Sequence, residues 1–368
     1  MPRWLLRVVV ALPVLALTVF AGVSSGLVPV TASSGHWAIT NWFLHYAMKR
    51  SVGTHARSLP EPKLDAPWLV LKGAGHYETG CRPCHGAPDL APPVVPGAMT
   101  PHPPALSDIV GEWSARELMY VVKHGVKFTA MPAWPSQVRD DEVEAMVAFL
   151  RALPGLDARA YRRLVDGDTG RPTPSAPDAE LVGDEVGGGT LAARCARCHG
   201  ARGEGRGSAA FPKLAGQRSE YQIAALEAYA RGARHSGIMQ PIAAGLDVRE
   251  MRALSAYYAR LPVSASESEP ARRERGRSIA RDGIPAKGVP ACAPCHGPLP
   301  GGRNAAYPRL AGQYADYLAQ QLTLFRDDRR GGSPYAPLMR HVAARLDPEA
   351  MRDVAAYYAA LERDDDAL

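Results

Sequence analysis

All six cysteines of the 368-residue chain fall into three copies of one frame: Cys81-Arg82-Pro83-Cys84-His85, Cys195-Ala196-Arg197-Cys198-His199 and Cys292-Ala293-Pro294-Cys295-His296. Two thiols one helical turn apart can add across the vinyl groups on one edge of a porphyrin, and the next residue then carries its imidazole beneath the iron. The frames therefore predict three covalently bound haem c groups, held by Cys81, Cys84, Cys195, Cys198, Cys292 and Cys295, with His85, His199 and His296 as axial ligands. A zinc site would need a second ligand pair nearby. A redox Cys-x-x-Cys would need a βαβ setting. Neither is present, and no cysteine is left over for a separate disulfide.

Haem iron held by one histidine keeps a free axial position, and its occupant separates an electron carrier from a catalyst. Of the ten methionines, Met119, Met146, Met251 and Met351 fall on helical stripes and read as core packing, and Met99 lies too soon after His85. One loop methionine per block remains, ahead of the last helix: Met131, Met239 and Met339, which follow their histidines by 46, 40 and 43 residues. That is enough chain to round a haem and return on its other face. His124, His235 and His341 are the rival ligands. A thioether favours ferrous iron and raises the potential relative to a second imidazole. A proximal imidazole also needs an acceptor on its other nitrogen, and the carbonyls of Pro104, Pro212 and Pro308 stand between histidine and methionine in their blocks. Arg234 and Arg330 hold corresponding positions, where they either pair with haem propionates or stay solvated.

Two stretches read as linkers, Asp166–Gly189 with its prolines and glycine triplet, and Pro262–Pro270, rich in Ser and Glu. They divide the chain into three blocks with one frame each. Phe211-Pro212-Lys213-Leu214-Ala215-Gly216-Gln217 recurs as Tyr307-Pro308-Arg309-Leu310-Ala311-Gly312-Gln313, and Leu246-Asp247 through Tyr257-Tyr258 recurs as Leu346-Asp347 through Tyr357-Tyr358. The second offset exceeds the first by four residues, so the third block carries an insertion between them. Blocks two and three are copies, and block one is a more distant relative. Asp247 and Asp347 read as helix N-caps, and Ser114 with Glu117 as a capping box. Met251, Leu254 and Tyr258, Met351, Val354 and Tyr358, and Val143, Met146, Val147 and Leu150 form apolar stripes at helical spacing. Each block thus ends in an amphipathic helix whose partner is the helix leading into the haem frame.

At the N-terminus, Arg3 and Arg7 precede an uncharged apolar run from Val8 to Val30. The run reads as a membrane anchor with its basic end inside, or as a signal peptide. Trp37, Ile39, Trp42, Phe43 and Tyr46 follow it, a pattern expected of a helix in the headgroup region, and this favours an uncleaved inner-membrane anchor with the haem blocks in the periplasm. The formal charge of +6 is offset by the propionates of three haems, so nucleic acid is not an expected partner. The basic excess lies in blocks two and three, which suggests weak, salt-sensitive docking onto an acidic protein.

The motifs carry a resemblance. Blocks two and three, roughly 181–361, resemble dihaem cytochrome c4: Cys-x-x-Cys-His-Gly, Pro-x-Leu-Ala-Gly-Gln, a Tyr four residues on, an Arg before the ligand Met, and Tyr-Tyr. Block one, with Gly73-Ala74-Gly75-His76-Tyr77 and Thr129-Ala130-Met131-Pro132-Ala133-Trp134, resembles the monohaem domains of membrane-bound respiratory cytochromes. The resemblance implies class I cytochrome c folds, His/Met ligation as assigned above and electron transfer in a respiratory chain, and with the N-terminal run the expected architecture is all-α, three tandem class I cytochrome c domains behind an N-terminal membrane helix. The expected division is an anchor or signal peptide over 1–35, an interfacial helix and linker over 36–65, domain 1 over 66–165, a Pro-rich linker over 166–180, domain 2 over 181–262, a linker over 263–270 and domain 3 over 271–368. The expected function is single-electron carriage from a quinol-oxidising complex to a terminal oxidase, with no bond-making catalysis. Two other readings stay open: an electron-accepting subunit of a periplasmic dehydrogenase complex, and a haem peroxidase.

Overall fold

The computed structural model describes residues 2–88, 90, 92–166, 188–297 and 304–362. Among them there is no β-strand, only the isolated bridges Ala87–Leu90, Arg234–Gly331 and Ile284–Val289. The chain is helical and follows one plan three times. A lead helix, a haem frame, a middle helix and a closing helix are Leu69–His76, Arg82–His85, Ala115–His124 and Asp140–Ala152 in the first domain. In the second domain the lead helix Gly188–His199 carries the frame itself, followed by Ser219–Ala230 and Val248–Ala259. In the third they are Pro270–Asp282, Ala293–His296, Ala315–Arg326 and Pro348–Ala359.

The closing helices start where local chemistry dictates. The Asp247 carboxylate accepts from the amides of Arg249 and Glu250, and Glu250 reaches back to the Asp247 amide at 2.8 Å. Asp347 caps the third domain's closing helix in the same way, with Pro348 at the first helical position. Ser114 and Glu117 form a reciprocal box at the first domain's middle helix. The three apolar stripes are buried throughout, as helices that cover a core require.

In the first and third domains the lead and closing helices cross at a glycine. A Cβ on Gly73 would lie 2.2 Å from the Ala145 carbonyl oxygen and 2.5 Å from Phe149 Cβ. A Cβ on Gly276 would lie 2.0 Å from the Asp353 carbonyl oxygen. At these crossings the missing side chain lets backbone touch backbone, which Gly alone permits.

Several features differ from expectation. Met239 opens a short helix, Met239–Ala244, and Met339 lies inside another, Ala336–Ala343, so neither is a loop residue. The four-residue insertion of the third domain falls between Arg330 and Met339, where eight residues replace the four between Arg234 and Met239. In the same domain, Gly283–Ala291 separates lead helix from haem frame. A further helix, Ala158–Asp166, follows the first domain's closing helix and buries Tyr161 and Val165. Apart from Asp166, the linker expected over 166–180 lies outside the described residues, as do residues 181–187 of the expected domain 2.

Of the linker expected over 263–270, residues 263–269 are irregular but held between the domains, and Pro270 opens the third domain's lead helix. Val263 covers Gly216 and Gly312, Ser266 donates from its amide to Ala359 O at 2.7 Å, and Ser264 O accepts from Lys213 Nζ at 2.8 Å.

The N-terminal helix Arg3–Ser24, with a mean hydropathy of 2.3 in its most apolar window, is long and apolar enough to cross a membrane. It ends before Gly26 and Pro29, while Pro13 and Gly22, which also disfavour helix, lie inside it. The next helix, Ala38–Ala56, exposes Trp37, Ile39, Trp42, Phe43 and Tyr46. Its C-terminal half packs on the first domain. Lys49 pairs with Glu112 at 2.8 Å, His55 stacks on Tyr120, and Val52 and Ala56 are buried.

Candidate functional site

The three frame histidines are oriented alike. His85 Nδ1 lies 2.9 Å from Pro104 O, His199 Nδ1 2.9 Å from Pro212 O, and His296 Nδ1 3.0 Å from Pro308 O. A ring that donates from Nδ1 to a carbonyl has its tautomer fixed and keeps Nε2 as its ligating nitrogen. Burial lowers the pKa of His85 and of His199, favouring the neutral ring that a metal requires.

The cysteines sit at the edges of the cores, Cys81 against the first, Cys195 the second and Cys292 the third. Burial pushes the Cys81 thiol up to about 12 and those of Cys195, Cys198 and Cys292 up to about 11. A redox Cys-x-x-Cys has the opposite property, a lowered thiol pKa. Beside His85 a cavity of about 250 Å³ is lined by Tyr77, Pro92, Leu106 and Leu153. Two thiols close in sequence at the edge of an apolar core, followed by one oriented imidazole, fit a haem bound through thioethers.

Met131, Met239 and Met339 are all half-buried. Met131 is fixed by its amide on Thr129 Oγ1 at 3.1 Å, and Met239 by its amide on Ser236 Oγ at 3.0 Å. The rival histidines are otherwise engaged or exposed. His124 is exposed and its ring meets Tyr120, with centroids 4.6 Å apart. His341 is exposed, and the backbone of His235 bridges domains, donating to Arg330 O and accepting from Arg139.

Domains 2 and 3 meet through their own repeat. Gln313 Oε1 accepts from the Lys213 amide and its Nε2 donates to Lys213 O, both at 3.0 Å. Gln217 makes the same pair with Arg309, at 3.0 and 2.9 Å. Lys213 and Arg309 directly follow the prolines that orient His199 and His296, so the joint runs beside both histidines. The repeated Pro-x-Leu-Ala-Gly-Gln was the signal for this joint, although the sequence assigned a role at the site only to its proline.

Arg234 and Arg330 are buried, which overturns the solvated alternative. Arg234 donates to Tyr221 Oη at 3.3 Å and Tyr317 Oη at 3.4 Å, and Arg330 donates to Tyr221 Oη at 3.1 Å. Their guanidinium planes cover Tyr229 and Phe325. Burial alone would raise the Tyr221 phenol, but the two guanidiniums outweigh it and hold Tyr221 at about 8.

Domain 1 packs against the pair. A Cβ on Gly75 would lie 2.6 Å from Phe211 Cζ and 3.3 Å from Cys198 Sγ, so the first lead helix touches the second haem frame. Arg206 donates to the carbonyls of Leu164 and Val165. Asp141 accepts two bonds from Arg139 at 2.8 Å and one from Gln320 of domain 3 at 2.9 Å. Burial would raise the Asp141 carboxyl, yet the bonds from Arg139 and the charge of Lys72 at 3.7 Å hold it at about 2. A folded value below the unfolded one gives stability that is complete above about pH 4 and is lost as pH falls towards 2. Asp141→Asn is therefore expected to remove about 2 kcal/mol of that acid-side dependence, read as a flatter melting temperature between pH 2 and 4 than in the unsubstituted protein. An unchanged slope would contradict the assignment.

Two families match the chain. Residues 69–150 match cytochrome c oxidase, cbb3-type, subunit III, and residues 186–261 and 274–362 match cytochrome c. A cytochrome c4 of Thiocapsa roseopersicina is 38% identical over 188 residues, covering 50% of this chain and 96% of the relative. The chain belongs to the class I c-type cytochromes. A thiosulfate dehydrogenase electron acceptor of Stutzerimonas stutzeri is 37% identical to this cytochrome over 187 residues, covering 50% of the chain and 86% of the relative. The crystal structure of reduced cytochrome c4 from Pseudomonas stutzeri is 31% identical, with a TM-score of 0.44, and covers 50% of this chain and 98% of its own. The cytochrome carries covalently bound haem c on its three frames and transfers electrons.

Proposed function

We propose that the cytochrome is a membrane-anchored trihaem carrier that moves single electrons in the periplasm from a quinol-oxidising complex to a terminal oxidase. The observation that carries this reading is contiguity. The haem frame of domain 2 touches the lead helix of domain 1 at Gly75, and its proximal segment is bonded to that of domain 3 through Gln217 and Gln313. A chain whose haem sites abut in series is built to conduct rather than to hold three independent centres. The match of residues 69–150 to an oxidase subunit supports the direction towards oxidase.

In this reading the haem domains span 66–165, 181–262 and 271–368, and Arg3–Ser24 stays as the anchor. Haem iron supplies a one-electron couple, and the chain's residues set its potential and access. His85, His199 and His296 ligate through Nε2, steadied by Pro104, Pro212 and Pro308. Met131, Met239 and Met339 would offer thioethers to the iron, and these would favour its reduced state. Arg234 and Arg330 place positive charge at the joint of domains 2 and 3, where propionates of either domain would find donors.

A second reading is favoured by the relatives named as electron acceptors of thiosulfate dehydrogenase: the chain would accept electrons from a periplasmic dehydrogenase. One stopped-flow experiment decides between them. The reduced cytochrome is mixed with oxidase-containing membranes, and the oxidised cytochrome with a thiosulfate-oxidising dehydrogenase and thiosulfate. Fast reoxidation with no thiosulfate-dependent reduction is expected. Rapid reduction by thiosulfate with no oxidation by membranes would establish the second reading instead.

A further inference from the structure

Glu142 is 2% exposed, at the first turn of the closing helix of domain 1. A carboxylate so buried is costly unless every lone pair is used. Here three hydrogen bonds and one ion pair converge on it. Oε1 accepts from Ser236 Oγ at 2.6 Å and pairs with the Arg139 guanidinium at 3.1 Å, and Oε2 accepts from the Gly237 amide at 2.6 Å and from Trp134 Nε1 at 3.3 Å. Ser236 and Gly237 belong to domain 2, and Ser236 Oγ in turn accepts the amide of Met239. Trp134 stands three residues after Met131, and its ring lies against Gly237, where a Cβ would fall 2.0 Å from Nε1. Arg139, itself 6% exposed, donates to His235 O at 2.5 Å.

We propose that Glu142 is a positioning residue that ties the Met239 segment of domain 2 to the Met131 segment of domain 1, so that packing of domain 1 sets the hold of Met239 on its iron. The proposal rests on the assignment of Met239 as a sixth ligand. The chain of bonds runs from Met239 through Ser236 to Glu142 and on to Trp134, and each link uses a group buried or half-buried between the domains. Among the described residues no buried carboxylate of domain 1 is bonded to the Met339 segment. The Met339 amide bonds only within its own segment, to Tyr335 O at 3.3 Å.

The test is Glu142→Gln in the full-length holoprotein. The amide has about the same shape but carries no charge for Arg139, and it offers two donors where only donors converge. The oxidised protein is titrated with imidazole, following loss of the weak far-red band of thioether-to-ferric charge transfer, and Met239→Ala identifies which of the three sites is Met239's. Imidazole is expected to bind about tenfold more tightly at the Met239 site, the scale on which an orphaned buried donor is felt, with the Met339 site unchanged. Equal weakening at all sites, or no change at the Met239 site, overturns the proposal. Ser236→Ala, which removes one hydroxyl, is expected to act in the same direction by about threefold, and it decides the matter if Glu142→Gln fails to accumulate. If Met239→Ala leaves the far-red band intact, it is the ligand assignment that has failed instead.

Discussion

Gly276→Val is expected to open domain 3. The new Cβ would stand 2.0 Å from the Asp353 carbonyl oxygen and 2.9 Å from Tyr357 Cβ. Backbone cannot rotate away as a side chain can, so the lead and closing helices must separate. The core they share, with Ala280, Val354, Ala355 and Tyr358, would lose its close packing, and the Asp353 pairs with Arg272 and Arg275 across the same crossing would be pulled apart. A loss on the order of 3 kcal/mol or more follows from overpacking at a site that cannot yield, a large share of the roughly 5–15 kcal/mol that holds a domain folded. Thermal unfolding followed by haem absorbance should show one of three haem environments melting early. A melt unchanged within error would mean the helices do not cross at this glycine.

The second large effect lies at the iron. His in place of Met131, Met239 or Met339 is expected to lower one haem potential and leave the other two. A thioether is a weak donor that stabilises ferrous iron, whereas a second imidazole stabilises the ferric state. Axial ligands set haem potentials over roughly 0.8 V, so the shift should exceed any change from altered solvation and be resolved by a spectroelectrochemical titration of the full chain. Three potentials unmoved by a given substitution would remove that methionine from the ligand set.

Much of this was legible because it rests on chemistry with fixed spacing. Cys-x-x-Cys-His demands haem. Asp247 with Glu250 and Ser114 with Glu117 announce helix starts through side chains only three residues away. The stripe of Met351, Val354 and Tyr358 follows from helical period, and all three are buried. What escaped depends on long-range contact. Gly73 and Gly276 are ordinary glycines until two helices cross there. Gln217 and Gln313 are part of a visible repeat, but their reciprocal bonds exist only because two copies face each other. Glu142 reads as one of three acidic residues in a helix's first turn, favourable there for the helix dipole alone, and only domain 2 makes it a junction. The short helices holding Met239 and Met339 were missed because Gly, Pro and Ser around them give a turn-like composition, and packing overrides that weak preference.

A thioether on each iron would leave outer-sphere electron transfer as the task of all three centres. The most direct measurement is to quantify the far-red thioether band of the oxidised full-length protein against its total haem, and to expose the reduced protein to carbon monoxide. A band corresponding to all three haems, with no carbon monoxide adduct, is the expected result. A high-spin signal, or stoichiometric carbon monoxide binding at any haem of the unsubstituted protein, would contradict it.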